Sequence, residues 1–447
     1  MQQKHAASFR DPSGFIFREK GIVYRQVNKI FKENYDFLMS SGLYKELVGR
    51  GMLIPHEESS DVSGTAQAYK IIRPEAIRFI SYPYEWCFAG LKDAAMLTLE
   101  IQRTAMKFGM SLRDASAYNI QFHNGRLTLI DTLSFEKYDK RKPWSAYGQF
   151  CRHFLAPLAL ASFRDPRLIQ MLRIYIDGIP LDLASKLLPF RTNFKSGILF
   201  HIHAHAKSEK RFSGATVAAS STNALDASAL FGILKSLEQA IRPLDVHGAH
   251  GVWHDRGEVP AQHLIESLLA DIRPKTLWDL SGNGGLYARL AGALGIRTVA
   301  FDGDERAVQE MYVGCRKSHD KNILPLVLDL ANPSPALGWA NEERASLRER
   351  GPADMVLAMD LLHRLAIGNN LPFESIASFF AEICTTLVIE FVPKDDARAA
   401  RLLQNRPDIF SSYSQENFEK EFGNFFTIKK HLEIPGTRAV VYLMEKK

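Results

Sequence analysis

The stretch WDLSGNGG, residues 278 to 285, joins an acid to a run of small residues, and a second acid, Asp302, follows 23 positions after Asp279. In an open α/β sheet a ligand sits beyond the carboxyl ends of the strands, where the first strand's loop meets a helix N-terminus. Small residues there let the backbone pass close to a cofactor. An acid at the end of the next strand stands where both ribose hydroxyls of a nucleoside would lie. The residues singled out on this ground are Asp279, Ser281, Gly282, Asn283, Gly285 and Asp302. Each has a plainer use: the loop could be a packing turn, and Asp302 could serve only as a helix cap, with Asp304 the better placed capper.

These residues need a sheet to hold them, and the second half of the chain reads as one. TLWDL, RTVAF, ILPLVLDL, DMVLAMDL and TLVIEFV are short apolar runs, separated by helical patterns such as LYARLAGALG, ERAVQEMYVGC and SIASFFAEIC. Such alternation predicts a parallel sheet with helices on both faces. The end differs: FFTIKKHLEI and AVVYLM are joined by PGTR, which predicts an antiparallel hairpin.

Taken together, WDLSGNGG, VAFDGDERAV, PLVLDLANPSP and AMDLLHRL resemble the four ordered motifs of class I S-adenosylmethionine-dependent methyltransferases, and within them the bacterial nodulation-protein-like group. The resemblance covers about residues 245 to 447. It implies a Rossmann-like seven-stranded sheet and S-adenosyl-L-methionine as cofactor. Asp302 would then bind the ribose, Asp329 would accept from the adenine amino group, and Leu330 would flank the ring. Ser281 and Asn283 stand where that family usually has glycine; asparagine visits left-handed backbone readily, serine less so. The fourth motif would lie at the mouth where transfer occurs. Because the sulfonium is already activated, alignment supplies much of the effect, and a base is needed only if the acceptor loses a proton. His363 is the candidate base, Asp360 the residue to orient it, and Glu390, at the end of TLVIEF, a candidate substrate contact. The bland alternative for His363 is a polar helix residue.

The first half carries a second constellation. Asp114 and Asn119 are five apart in SLRDASAYNIQF, and Asp131 in LTLIDTLSF follows twelve later, across a hairpin expected at HNGR. SGFIF and GIVYRQV read as a strand pair, followed by a helical stretch at about 29 to 48, the apolar MLI and AYKII, and IRFISYPYEW as a strand running into a hinge. A long helix then precedes the loop. This order resembles a protein-kinase or aminoglycoside-phosphotransferase fold, an α+β domain, in which two acids and an asparagine serve substrate and metal. The departures are Leu112 in place of histidine, DTL in place of DFG, no glycine-rich phosphate loop, and Arg25 where a lysine grips phosphates, with Glu46 its candidate partner; Lys70 is the other candidate, although no helix lies between it and the hinge. Arginine is no silent replacement for a compact ammonium, so Arg25, Asp114, Asn119 and Asp131 are expected to be remnants or binding contacts. HIHAHA, 201 to 206, invites a metal reading through His201 and His205, but no carboxylate or cysteine stands nearby in sequence, and a packing role is preferred.

At 447 residues, with 46% apolar and 24% charged residues, the chain is expected to form two globular domains. A kinase-like domain at 1–210, a small and polar linker at 211–228, and a methyltransferase domain at 229–447 are the expected divisions. The four cysteines form no CxxC pair, and no metal site is expected. With no apolar run long enough to span a membrane and no signal-peptide core at the start, a cytoplasmic bacterial-type enzyme is expected. The net charge of +6 is interspersed, a weak signal for nucleic acid. The expected partner is an unidentified methyl acceptor, a small molecule or glycan. The function expected is methyl transfer, with the first domain recognising or scaffolding the substrate. Two alternatives stay open: a bifunctional kinase and methyltransferase, and a cofactor-binding protein without transfer.

Overall fold

The computed structural model describes residues 3–140, 142–212, 227–246, 260–404 and 407–447. The chain divides into two compact units, one made of Met1–Gly248 with Leu337–Arg344, the other of Ala249–Ala336 with Ala345–Lys447. Most of the expected linker at 211–228 lies outside the described residues.

The first unit opens with an antiparallel five-stranded sheet in the spatial order Gln3–Lys4, Gly14–Glu19, Ile22–Asn28, Ala68–Pro74, His56–Glu58. Lys20 and Gly21, both at positive φ, make the tight turn of the first hairpin. The helical stretch expected at 29 to 48 is two helices, Lys32–Ser40 and Leu43–Gly49, because Gly42 adopts a left-handed conformation between them. A 20-residue helix, Phe88–Lys107, leads to two short ladders, Met110–Leu112 with Phe135–Lys137 and Ile120–His123 with Arg126–Leu129. The second turns at Asn124–Gly125 of HNGR, both residues at positive φ.

IRFISYPYEW is not a strand. The amide of Gln121 takes both backbone groups of Ser81, accepting from its N–H at 2.9 Å and donating to its carbonyl at 2.8 Å, which leaves no ladder for a neighbouring strand. The second unit does not begin at 229. The helix Ala227–Ile241 belongs to the first unit, where Glu238 pairs with Arg103 at 2.6 Å and Lys92 donates to the carbonyls of Arg242 and Leu244. Leu337–Arg344 also belongs there, with Glu343 bound by Arg10 and Arg344 lying 4.4 Å above the Tyr118 ring.

In the second unit the elements are numbered from its own first helix and strand. Helix α1 (Gln262–Ile272) precedes β1 (Thr276–Asp279), α2 (Leu286–Ala293), β2 (Arg297–Asp302), α3 (Glu305–Ser318), β3 (Ile323–Val327), β4 (Ala353–Ala358), α4 (Phe373–Ile383), β5 (Cys384–Phe391), α5 (Ala397–Leu403), α6 (Gln415–Gly423), β6 (Phe426–Glu433) and β7 (Val440–Lys446). The sheet order is β3-β2-β1-β4-β5-β7-β6; the first five strands are parallel and β7 is antiparallel to both neighbours. This is the α/β, Rossmann-like seven-stranded sheet expected. β4 and β5 are buried almost end to end, as strands covered on both faces must be. β6 instead exposes Lys429, Lys430 and His431, charges that blunt a sheet edge. Strand order reverses between β1 and β4, so the carboxyl ends of these two strands diverge and open a crevice.

Candidate functional site

The loop after β1 begins with a restraint. Asp279 is buried, its Oδ1 accepts from the Ser281 N–H at 3.0 Å, and burial pushes its carboxyl up to about 6. Ser281 is not among the residues at positive φ; Gly282, Asn283, Gly284 and Gly285 are, in succession. The serine therefore carries none of the strain of a side chain at positive φ. Its hydroxyl accepts from the Met359 N–H at 3.0 Å and reaches the Leu357 carbonyl at 3.4 Å, tying the loop to the end of β4. Asp279 and Ser281 hold the loop from behind, and neither lines the cavity that opens in front of it.

That cavity is about 500 Å³. Gly282 and Asn283 border it from the loop, Tyr287 from α2, Asp302 and Asp304 from the end of β2, Met359 and Asp360 from beyond β4, and Glu390 from β5; Asp396, Arg398, Ile434 and Thr437 complete the far side with Arg364. Asp302 Oδ1 accepts from the Asp304 N–H at 2.9 Å, and Asp304 caps α3 through the Arg306 N–H, the role expected for it. A β-carbon on Gly282 would lie 3.1 Å from Asp302 Oδ2, so only glycine lets the loop approach this carboxylate so closely. Gly285 is buried at the start of α2 rather than on the cavity wall. Asp329 and Leu330 lie past the end of β3 and do not border the cavity: Asp329 is exposed and its Oδ1 accepts from the Ala331 N–H at 2.9 Å, closing a turn.

The far side is a charge network. Arg398 donates to Glu390 Oε1 at 2.8 Å, to Asp360 Oδ1 at 3.2 Å, and through Nε and Nη2 to both oxygens of Asp396 at 3.1 Å. Glu390 Oε2 accepts from the Asp360 N–H at 2.8 Å, and Arg364 pairs with Asp360 Oδ2. Burial raises the Glu390 carboxyl against the pull of Arg398, while the Arg398 contact holds Asp396 below the usual carboxylate range. Burial alone would loosen the Arg398 proton, but Asp396 and Glu390 outweigh it and hold it more firmly. Asp360, a non-glycine residue at φ 53°, leads into a π-turn at Arg364–Gly368. Such turns carry one residue more than an α-turn and recur at functional sites.

His363 does not join this wall. It is 2% exposed, does not border the cavity, and burial lowers its imidazole to about 4. Its Nε2 stands 3.7 Å from Asp360 Oδ1, and its Nδ1 has no hydrogen-bond partner among the described residues. Asp360 is engaged by two arginines rather than reserved for the ring. Sequence reasoning missed Arg398, Arg364, Asp396 and Tyr287. A signal existed for Arg398: a buried acid such as Glu390 requires a cation, and Asp396 announces the start of the short helix that carries one. The Tyr287 side chain is buried against the cavity, and burial, then the charge of Glu390, raises its phenol.

The residues fit a cationic nucleoside. Five carboxylates and two guanidiniums line the cavity, an excess of negative charge, and the loop with Asp302 forms a cradle that a β-carbon would fill.

The constellation of the first unit closes on itself. Arg25 pairs with Asp131 at 2.6 Å, both nearly buried. Asp131 also accepts from the Leu133 N–H at 2.9 Å and the Ser134 hydroxyl at 2.7 Å. Asp114 accepts from the Ser116 N–H and from Gln149 at 2.8 Å, and burial, then Asp131, raises its carboxyl. The Asn119 amide donates to Ser134 at 3.4 Å. Glu46 is not the partner of Arg25; it lies one helical turn from Arg50, 3.7 Å away. In HIHAHA, His201 bridges Tyr147 and Ser236, and His203 bridges Ser185 and Thr192, both as buried packing residues. The His205 ring stacks on Tyr147. Among the described residues no helix is long and apolar enough to cross a membrane.

No protein-family model matches the chain. The nodulation protein NoeA of Rhizobium meliloti (strain 1021) is 32% identical over 464 residues, covering 99% of this chain and 96% of its own length. Among solved structures, the magnesium protoporphyrin IX methyltransferase ChlM of Synechocystis PCC 6803, with bound SAH, matches 44% of this chain and 91% of its own at 18% identity and a TM-score of 0.30. WbdD, co-crystallised with the kinase inhibitor LY294002, matches 43% of this chain at 11% identity and a TM-score of 0.30; this chain spans 41% of WbdD.

Proposed function

The chain belongs to the family of the nodulation protein NoeA, and from that premise we propose that its second unit is a methyltransferase that binds S-adenosylmethionine in the cavity at the β1/β4 crevice. The observation that carries this reading is the run of four residues at positive φ, Gly282 to Gly285, set against Asp302 at the mouth of an acidic cavity. The cofactor supplies a methyl group already activated on a sulfonium. The chain's own part is binding and alignment. Asp302 holds the ribose hydroxyls, Gly282 and Asn283 let the backbone run beneath the nucleoside, and the carboxylate excess draws in the positive charge. Tyr287, Thr437 and the Arg398 network border the rest of the cavity and bind the acceptor. Their hydroxyl, carboxylate and guanidinium groups suit a hydroxyl-rich small molecule or glycan.

Titration calorimetry with S-adenosylmethionine tests the reading, and no binding at millimolar cofactor refutes it. Release of label from methyl-labelled cofactor then separates transfer from a cofactor-binding protein without it. One observation favours that second reading: His363 is off the wall, and Asp360, Glu390 and Asp396 are each engaged by arginine, so no unpaired base faces the cavity from this network. An acceptor that needs no deprotonation, or that loses its proton to solvent, reconciles these contacts with transfer.

For the first unit we propose a kinase-shaped module that recognises or scaffolds the acceptor. The antiparallel sheet, the long helix and the two short ladders support this reading, although the strand expected at IRFISYPYEW is missing, and the Arg25–Asp131 ion pair occupies the carboxylate that phosphotransfer would assign to a metal. ATP binding that is abolished by Asp131→Ala would instead favour a bifunctional kinase and methyltransferase.

A further inference from the structure

The chain at 186–195, KLLPFRTNFK, contains three cations and no acid. It forms a turn in the first unit, Phe190–Phe194, whose two phenylalanines are 77% and 78% exposed, with ring centroids 5.7 Å apart at 83°. Leu187 is exposed beside them, and Arg164, itself exposed, donates to the Leu187 carbonyl at 2.8 Å. Clustered exposed apolar side chains rimmed by polar residues mark interaction sites, as scattered ones do not.

The turn is built to stay rigid. Thr192 is fully buried between the two rings in sequence, donating to the Pro189 carbonyl at 2.7 Å and meeting His203 Nε2 at 2.9 Å. The other nitrogen of His203 meets Ser185 at 2.8 Å, so one imidazole pins both the turn and the helix before it. The turn also pairs its own backbone: the Thr192 N–H reaches the Pro189 carbonyl, the Lys195 N–H the Thr192 carbonyl, and the Asn193 amide the Phe190 carbonyl. Satisfied peptide groups are what allow a loop to enter a less polar medium at low cost.

We propose that this turn is a docking surface for an anionic lipid headgroup layer, with Phe190 and Phe194 entering the acyl boundary and Arg191, Lys195 and Arg164 meeting the headgroups. Aromatic rings flanked by arginine and lysine fit that interface on both counts, apolar area and charge. A second copy of this chain fits poorly: a two-fold contact centred on the rings would set Arg191 and Lys195 against their own copies. The surface is independent of the methyltransferase reading.

Flotation of the full chain with vesicles tests it. Binding to phosphatidylcholine mixed with phosphatidylglycerol should exceed binding to phosphatidylcholine alone. The pair Phe190→Ser and Phe194→Ser should weaken it at least roughly tenfold, given the area of two rings. Arg191→Glu with Lys195→Glu should abolish the preference for the anionic vesicles. Both pairs alter exposed side chains and should leave thermal unfolding unchanged. No binding to the anionic vesicles, or binding indifferent to the two rings, overturns the proposal. A wild type that ignores vesicles but sediments as a dimer, reduced to a monomer by the ring substitutions, assigns the surface to a second copy and also overturns it.

Discussion

Gly282→Ala separates backbone strain from ligand recognition. A β-carbon at this position would lie 3.1 Å from Asp302 Oδ2, 3.4 Å from its Cγ and 3.5 Å from Oδ1, on a residue at φ 69°. The backbone at φ 69° and ψ −101° alone costs a non-glycine residue at least about 1–2 kcal/mol. The crowding adds a second effect: the Asp302 carboxylate must retreat by a few tenths of an ångström, and its bond from the Asp304 N–H limits where it can go. Losing one hydrogen bond between that carboxylate and a ribose hydroxyl costs about 1.5–3 kcal/mol, or roughly a 10- to 100-fold rise in Kd. Gly295→Ala supplies the control, because Gly295 has φ 77° and, among the described residues beyond its chain neighbours, no atom lies within 4 Å of its missing β-carbon. Thermal unfolding should register both substitutions, each lowering Tm by roughly 2–8 °C for a unit of this size. Calorimetry with S-adenosylmethionine should register only Gly282→Ala. Native affinity in Gly282→Ala, or an equal loss in both variants, refutes the assignment of the loop and Asp302 to the nucleoside.

Three further outcomes follow from other buried polar groups. Arg398→Ala strands the buried Glu390 and should cost about 3 kcal/mol near neutral pH; with its cation gone, Glu390 favours its proton in the folded state, so the deficit should shrink as pH falls, and a deficit constant with pH in denaturant titrations would count against the network. Ser281→Gly should lower stability by about 1 kcal/mol without improving cofactor affinity, since it leaves the Met359 N–H without its acceptor; a gain in affinity measured by calorimetry would show that the serine obstructs the cofactor. Burial lowers His56, His201 and His363 to about 4 and His153 to about 3. Imidazoles that resist protonation when folded bind fewer protons than the unfolded chain, so stability is full above the unfolded value of 6.5 and is lost as pH falls from there toward about 4, or about 3 for His153. Each should cost about 1 kcal/mol by about pH 5.5, and resonances assigned to these four imidazoles that titrate near 6.5 in the folded protein would refute this.

The sheet of the second unit was legible because its strands are apolar throughout, and a run such as TLVIEFV has few other ways to be buried. The closing hairpin was legible because PGTR can do little but turn. Gly282, Asn283, Asp302, Asp360 and Glu390, singled out from motif position, do border one cavity. Arg398 was not legible from motif order, since it reaches Glu390, Asp360 and Asp396 from a short helix that no ordered motif contains. His363 misled because its residue type suits a base while its position on the chain points it into the core. IRFISYPYEW misled for a related reason: its apolar pattern is that of a strand, but a single side chain far along the chain, Gln121, takes the hydrogen bonds a strand would need.

The π-turn at Arg364–Gly368 bears on which changes of length this region can accept. An α-helix advances about 100° per residue, so deleting one residue from 364–368 would let the turn relax to ordinary helical pitch and rotate one flank by about that angle against the other. Arg364 would swing away from Asp360, and the wall of the cavity would lose its registration with Glu390 and Arg398, although every side chain was still present. Single substitutions along this segment should therefore be better tolerated than single deletions, a pattern that a combined scan of both kinds would display as a narrow window of intolerance to change in length.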